Sequence, residues 1–214
     1  SHALFSVFGS AAPSQELTFQ TLSGELRVTR LEENEFQMDF PMEASHGTVA
    51  LDHADVLVAA RALGIDSTKV IGAERNRMDL LVELDSEETL SAIPWQVDFG
   101  TIAETNCRIL TVTAKSSEGS EFDIASRWFG PSVGVDEDPV CGSAHCFLGP
   151  YWAEKLGKPT LNSRAACKRG GAVQVGVGKA GGAVDDSRVQ LTGRTVATVS
   201  GSLIWGLPPH LFQD

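Results

Sequence analysis

Between residues 17 and 40, apolar and polar side chains alternate with a period of two in three short runs, 17–21, 25–29 and 35–40, with a Ser23-Gly24 turn between the first two and Pro41 closing the last. Such alternation turns one face of a strand to a core and the other to water, so it predicts three antiparallel strands. The period then changes. Over 52–63, ahead of Gly64, apolar residues recur at helical spacing behind an acidic first turn, which predicts a helix. Strands are predicted at 69–73 and 79–84, a short helix at 85–92, strands at 107–114 and 121–129, and a long helix at 143–156. Strands at 163–168, 172–177, 188–191 and 195–204 complete the order, with a hairpin loop over 180–187. A strand-rich chain with few helices and short Gly, Ser or Asp turns points to an α+β fold and away from a doubly wound parallel sheet. There is no internal repeat of short fixed period.

Composition narrows the function more than the fold. The 214 residues are 42% hydrophobic and 21% charged, which is ordinary globular composition for one large or two small domains. No run of eighteen apolar residues and no basic-then-apolar leader pattern occurs, so neither a membrane span nor a secretory signal is predicted and a cytoplasmic address is expected. A formal charge of −11 argues against nucleic acid or an anionic membrane as partner, since phosphate binding draws on Lys and Arg clusters. The expected partner is a small molecule. Cys107, Cys141, Cys146 and Cys167 match no zinc-ligand spacing, and Cys141 and Cys146 bracket a helix start where a mutual bridge would be awkward, so free thiols are expected and no metal. Gly176-Val-Gly-Lys-Ala-Gly181 formally fits a dinucleotide fingerprint, but no helix follows it, and no cofactor is predicted.

The densest chemistry lies in Asp136-Glu-Asp-Pro-Val-Cys-Gly-Ser-Ala-His-Cys146, which runs directly into the long helical pattern. Pro139 fixes its own φ and pushes Asp138 toward an extended conformation, holding that carboxylate on a rigid approach to a turn. Gly142 allows a bound group close to the backbone, Ser143 is able to cap, and the free amides of the first helical turn carry about half a positive charge. A small carboxylate suits that position. Asp138 on its own reads first as a turn or cap carboxylate, common in Asp-Pro contexts. His145 and Cys146 read as packing residues, because neighbours on a helix point apart and no third ligand follows at useful spacing. Cys107 and Cys167 read as buried strand residues, Trp152 as packing its helix onto the sheet, and the acidic run Glu83, Asp85, Glu87 and Glu88 as solvated surface. His2, His46 and His53 have no sequence partner.

Arg127-Trp-Phe-Gly-Pro131, Val133-Gly-Val135 and Glu137-Asp-Pro-Val-Cys-Gly-Ser-Ala-His145 together resemble the PhzF family of phenazine-biosynthesis-like isomerases, as do Thr21-Leu-Ser-Gly-Glu-Leu26 and Lys168-Arg-Gly-Gly171. The resemblance implies the diaminopimelate-epimerase-like architecture, two lobes that each wrap a curved, mostly antiparallel sheet around a central helix, with the active site between them. It further implies that 1–47 is a remnant of the first lobe, 48–195 the second lobe, and 196–214 a final strand and tail returning toward the first. Family segments Gly-Asn-Pro, Ser-Glu-Thr with the catalytic glutamate, and Cys-Gly-His-Ala-Thr do not occur in the chain. Ser1-His-Ala-Leu-Phe5 resembles the tail of the helix that follows the last of them, so removal of an upstream part is expected.

In the family, that first-lobe glutamate moves a proton between carbons of an activated ring substrate, a dihydro-hydroxyanthranilate. By resemblance Asp138 adds polar contact and proton traffic, Gly142 and Ser143 pin the substrate carboxylate, no cofactor takes part, and a homodimer is expected. Cys141 stands where related racemases carry a catalytic thiol whose pKa falls at the helix N-terminus, although many relatives have threonine there. With no opposite thiol in the chain it reads first as a small first-turn residue lining the cleft, and catalysis by Cys141 stands as a hypothesis beside that. Two other readings stand beside the isomerase: a non-enzymatic remnant that binds a small molecule or a protein, and a thiol-based racemase or epimerase using Cys141.

Overall fold

The computed structural model describes residues 15–22, 24–178 and 187–198. Its opening strands are β1 (Glu16–Thr21), β2 (Gly24–Glu32) and β3 (Glu35–Pro41), an antiparallel meander in the expected register of alternation. After β4 (Gly47–Thr48) come helix α1 (Ala54–Leu63), strands β5 (Val70–Arg75) and β6 (Leu80–Leu84), then helices α2 (Glu87–Ala92) and α3 (Phe99–Ala103). Strands β7 (Leu110–Lys115), β8 (Ile124–Gly130) and β9 (Val135–Asp138) precede the central helix α4 (Gly142–Leu156), and β10 (Thr160–Ala165), β11 (Gly171–Val177) and β12 (Arg188–Arg194) follow it.

All twelve strands among the described residues belong to one sheet, ordered β1-β2-β3-β12-β11-β10-β8-β7-β6-β5-β4, with β9 paired to β8 off that path. Every pairing is antiparallel except β6 with β7 and β8 with β10. A parallel pair needs a crossover, and helices supply both. The crossover from β6 to β7 carries α2 and α3, and the one from β8 to β10 carries α4. The two land on opposite faces. On one side Leu80, Val82, Leu110, Val112, Ala125 and Phe129 pack under α1, α2 and α3. On the other, Leu81, Ile124, Trp128, Leu161, Val175 and Leu191 close around Phe147, Leu148 and Trp152 of α4. This is the mixed α+β fold expected, a largely antiparallel sheet curved around a central helix.

Pro150 lies inside α4 and has no amide hydrogen, so the carbonyl four residues earlier, on Cys146, lacks its helical donor. The Glu43 amide fills that position at 3.0 Å, which ties the segment after β3 to the middle of the helix. Gly149 faces β11 so closely that a Cβ there would stand 2.6 Å from Val175 Cγ1. Gly149→Ala is therefore expected to lower stability by about 1–2 kcal/mol, overpacking outweighing the gain in helix propensity. A urea titration checks it; a more stable variant would show that the helix can back away from the strand.

Several expected boundaries move. Strands expected from 107 and 121 begin at Leu110 and Ile124, the strand expected over 163–168 is Thr160–Ala165, and that over 188–191 runs on to Arg194. Residues 195–198 form no strand. The two-residue β4, the short α3 and the acidic β9 carried no periodicity long enough to detect. Cys107 and Cys167 are buried as expected but sit in loops beside β7 and β10. The acidic run is not uniformly solvated. Glu83 is only 4% exposed and accepts hydrogen bonds from Tyr151 Oη and Lys155 Nζ, while Glu87 binds Arg164 Nη2 at 2.5 Å and the Ser117 amide at 2.7 Å. The expected helix tail at 1–5, most of the 180–187 loop and positions 199–204 lie outside the described residues.

Candidate active site at the start of the central helix

Gly134, with φ at 82°, ends the 3-10 turn Pro131–Val133 and sends the chain back along β8 as β9. Paired strand residues share a face, so Asp138, opposite Trp128, points to the α4 side. Its Oδ1 accepts the Val140 amide at 3.0 Å, which closes the Asp-Pro-Val turn and confirms the local reading of a turn carboxylate. Asp138 is half-buried. The turn is clamped from below: Cys167 Sγ donates to the Pro139 carbonyl at 3.3 Å, and a Cβ on Gly171 would lie 2.5 Å from Val140 Cγ2. Only glycine lets β11 approach the turn so closely, which gives the Lys168-Arg-Gly-Gly171 segment its place at the site.

Cys141, not Ser143, is the N-cap of α4, and no side chain caps the helix. Gly142 is half-buried and Ser143 exposed in the first turn, where amides have no intrahelical acceptor. The Cys141 thiol is buried and lies 3.6 Å from Ser143 Oγ. Burial pushes this thiol up, against the lowering that the helix start suggested, and the Asp138 carboxylate adds to the rise. A thiol beside a carboxylate in a dry site resists ionisation even at a helix N-terminus. Burial likewise pushes Cys146 up to about 12.

His145 is fully buried, its Nδ1 2.7 Å from the Cys141 carbonyl and its Nε2 3.0 Å from Ser163 Oγ. A carbonyl only accepts, so Nδ1 carries the hydrogen and Nε2 accepts from the serine. Burial holds the ring neutral down to about 4. It thus acts as a strut between the helix cap and β10. Among the described residues, no group of three His, Cys, Asp or Glu is arranged to hold a metal, and no helix is long and apolar enough to cross a membrane.

A pocket of about 310 Å³ opens against Gly142, walled by Phe36, Met38, Val140, Gly171, Leu191 and Arg169 among others. Asp138 and Ser143 stand outside its wall. Two larger hollows, about 600 and 700 Å³, touch none of the motif residues. The structure therefore brings Asp138, Cys141, Gly142 and Ser143 together around one helix start. Sequence reading gave no role to Arg127 and Glu137, although both stand in quoted motifs; a lone charge inside the otherwise uncharged run 124–130 was the available signal.

A family model for phenazine biosynthesis-like proteins matches residues 1–201. An uncharacterized isomerase of Pseudomonas aeruginosa is 40% identical over 190 residues, covering 89% of this chain and 65% of the relative, and a second from that organism is 37% identical over 205 residues, covering 94% and 69%. A mouse phenazine biosynthesis-like domain-containing protein is 34% identical, with 87% and 65% covered. The chain thus spans about two-thirds of the length of these relatives. Among solved structures, a putative PhzC/PhzF protein of Clostridium difficile superposes with a TM-score of 0.70 at 30% identity, covering 95% of this chain and 70% of the other, and a PhzF-family protein of Enterococcus faecalis with 0.69 at 29%, covering 90% and 66%. By sequence over nearly its whole length and by fold, the chain belongs to the PhzC-PhzF family of phenazine biosynthesis-like proteins.

Proposed function

We propose that this chain forms the Asp138-bearing side of a cofactor-independent isomerase that shifts a proton between carbons of a small carboxylate-bearing metabolite, of the dihydro-hydroxyanthranilate kind. The observation that carries the reading is the Asp138 carboxylate held at the start of α4, next to the first-turn residues Gly142 and Ser143. Relatives named as isomerases favour the same reaction class. In this reading residues 1–47 are the edge of a first lobe that carries the glutamate base in longer family members, and 48–195 are the second lobe.

One carbon loses a proton to the base, the C–H electron pair moves into the conjugated system, and another carbon takes up a proton. Composition is unchanged, so no oxidant or reductant is needed. Gly142 and Ser143 hold the substrate carboxylate with first-turn amides, fixing the geometry of transfer. Asp138 holds or relays the proton at its carboxylate. Cys141 is given no proton transfer, because its thiol is buried and raised.

The test is solvent deuterium uptake into cyclic dihydro-carboxylates in heavy water, read by mass spectrometry. A form that carries the first lobe with its glutamate is expected to label substrate, and Asp138→Asn in that form to slow labelling about a hundredfold with its circular dichroism unchanged. Equal rates would remove Asp138 from the mechanism, and no labelling by the form that carries both lobes would sink the isomerase reading.

A further inference from the structure

Arg127 is a fully buried guanidinium, 1% exposed, that proton transfer as described above does not use. Its Nε and Nη2 bind both carboxylate oxygens of Glu137 at 2.7 and 3.1 Å. Its Nη1 donates to the carbonyls of Ile93 and Pro94 at 2.9 and 3.2 Å, and the group lies 5.2 and 5.0 Å from the rings of Trp95 and Phe129. A buried arginine with its donors directed at one carboxylate and two carbonyls cannot shift without stranding charge.

Strand β9 depends on that anchor. It has four residues, its ladder to β8 is interrupted between Trp128 and Gly130, and it forms the sheet's only branch among the described strands. Side chains alternate along a strand, so Glu137 turns to Arg127 on the α2 side while Asp138 turns to α4. Fixing one therefore fixes the direction of the other.

We propose that Arg127, through its two-point bond to Glu137, is the positioning residue that aims Asp138 at the start of α4. The proposal deepens the isomerase reading, since Asp138 is the group being placed, but its first test does not need turnover. The Val140 amide, bonded to Asp138, reports whether the carboxylate stays in place, and its hydrogen exchange can be followed by NMR in the parent, Arg127→Lys and Glu137→Gln. Lysine keeps the charge but loses the planar fork; glutamine keeps the shape and removes one charge.

Both variants are expected to speed Val140 exchange about tenfold or more while core amides such as Val82 and Val112 keep their protection. Because the two act through one bond, the double variant should be no worse than the worse single one. Unchanged Val140 exchange in a folded variant, or Val140 moving in step with the core amides, would overturn the proposal; Glu137→Gln keeps the question open to measurement should Arg127→Lys not fold. In the turnover assay kcat should drop about tenfold or more with KM held within about threefold, the pattern of a misplaced reacting group. Absence of turnover in the form that carries both lobes would end the isomerase reading and leave the amide result to decide the clamp.

Discussion

Trp152→Ala is expected to reduce stability by about 3–5 kcal/mol. A domain of this kind is stable by roughly 5–15 kcal/mol, so the loss takes a large share of the total. The reason is the position of the ring. Trp152 is 2% exposed, stands where α4 meets β7, and has Tyr151 edge-on at 5.6 Å. Its Nε1 donates to Thr113 Oγ1 at 3.1 Å, and that hydroxyl also accepts from Ser126 Oγ at 2.8 Å and donates to the Ala125 carbonyl at 2.9 Å. A hydroxyl has one donor and two acceptor sites, so the fully buried Thr113 is saturated. Truncation to alanine opens a cavity and breaks this network. Trp152→Phe keeps most of the packing and loses one hydrogen bond, about 1 kcal/mol, with a modest volume change. Urea unfolding of both variants measures the ordering. If Trp152→Ala lay within about 1 kcal/mol of the parent, the sheet would be closing on some other part of α4.

Lowering the pH from 7 to 5 is expected to remove about 2 kcal/mol of stability through His145 alone. Burial keeps the folded imidazole neutral to about 4, whereas in the unfolded chain it takes a proton near the ordinary value of 6.5. Between those values the unfolded state binds more protons than the folded one, so stability falls with the pH. The contribution is fully present above about 6.5 and fully lost below about 4, a total of about 3 kcal/mol. Asp138, the charged group felt by the ring, opposes the shift, but burial outweighs it. His145→Gln should flatten the stability profile between pH 7 and 5 by the same amount relative to the parent. Carboxylates that titrate in this range are common to both proteins and cancel in the comparison. Parallel profiles would mean that the ring does not lie neutral between Cys141 and Ser163.

The fold and the site were legible to different depths. Alternation over 17–40 was enough to place β1, β2 and β3, and the Asp-Pro-Val turn announced itself through Pro139 and the glycine that follows. Both signals act over a few residues, through backbone sterics and side-chain period. The central helix was legible for the same reason. Glu83 was not. It sits in an acidic stretch that reads as surface, but β6 is buried on both faces, and its partners Tyr151 and Lys155 come from a helix 68 and 72 residues further on. At Cys141 two local influences oppose each other. A helix start argues for a reactive thiol, yet burial and the Asp138 carboxylate set its ionisation, and neither depends on helix position.

Local order, the likeness to the family and the gathering of Asp138, Cys141, Gly142 and Ser143 around one helix start were thus present in the chain as written, because they rest on neighbours in sequence. The burial of Glu83, the neutral strut of His145 and the Arg127–Glu137 anchor were decided only by the folded sheet. Strand pairing and crossover direction choose which faces lose water, and a polar group's energy is set by the partners it meets there.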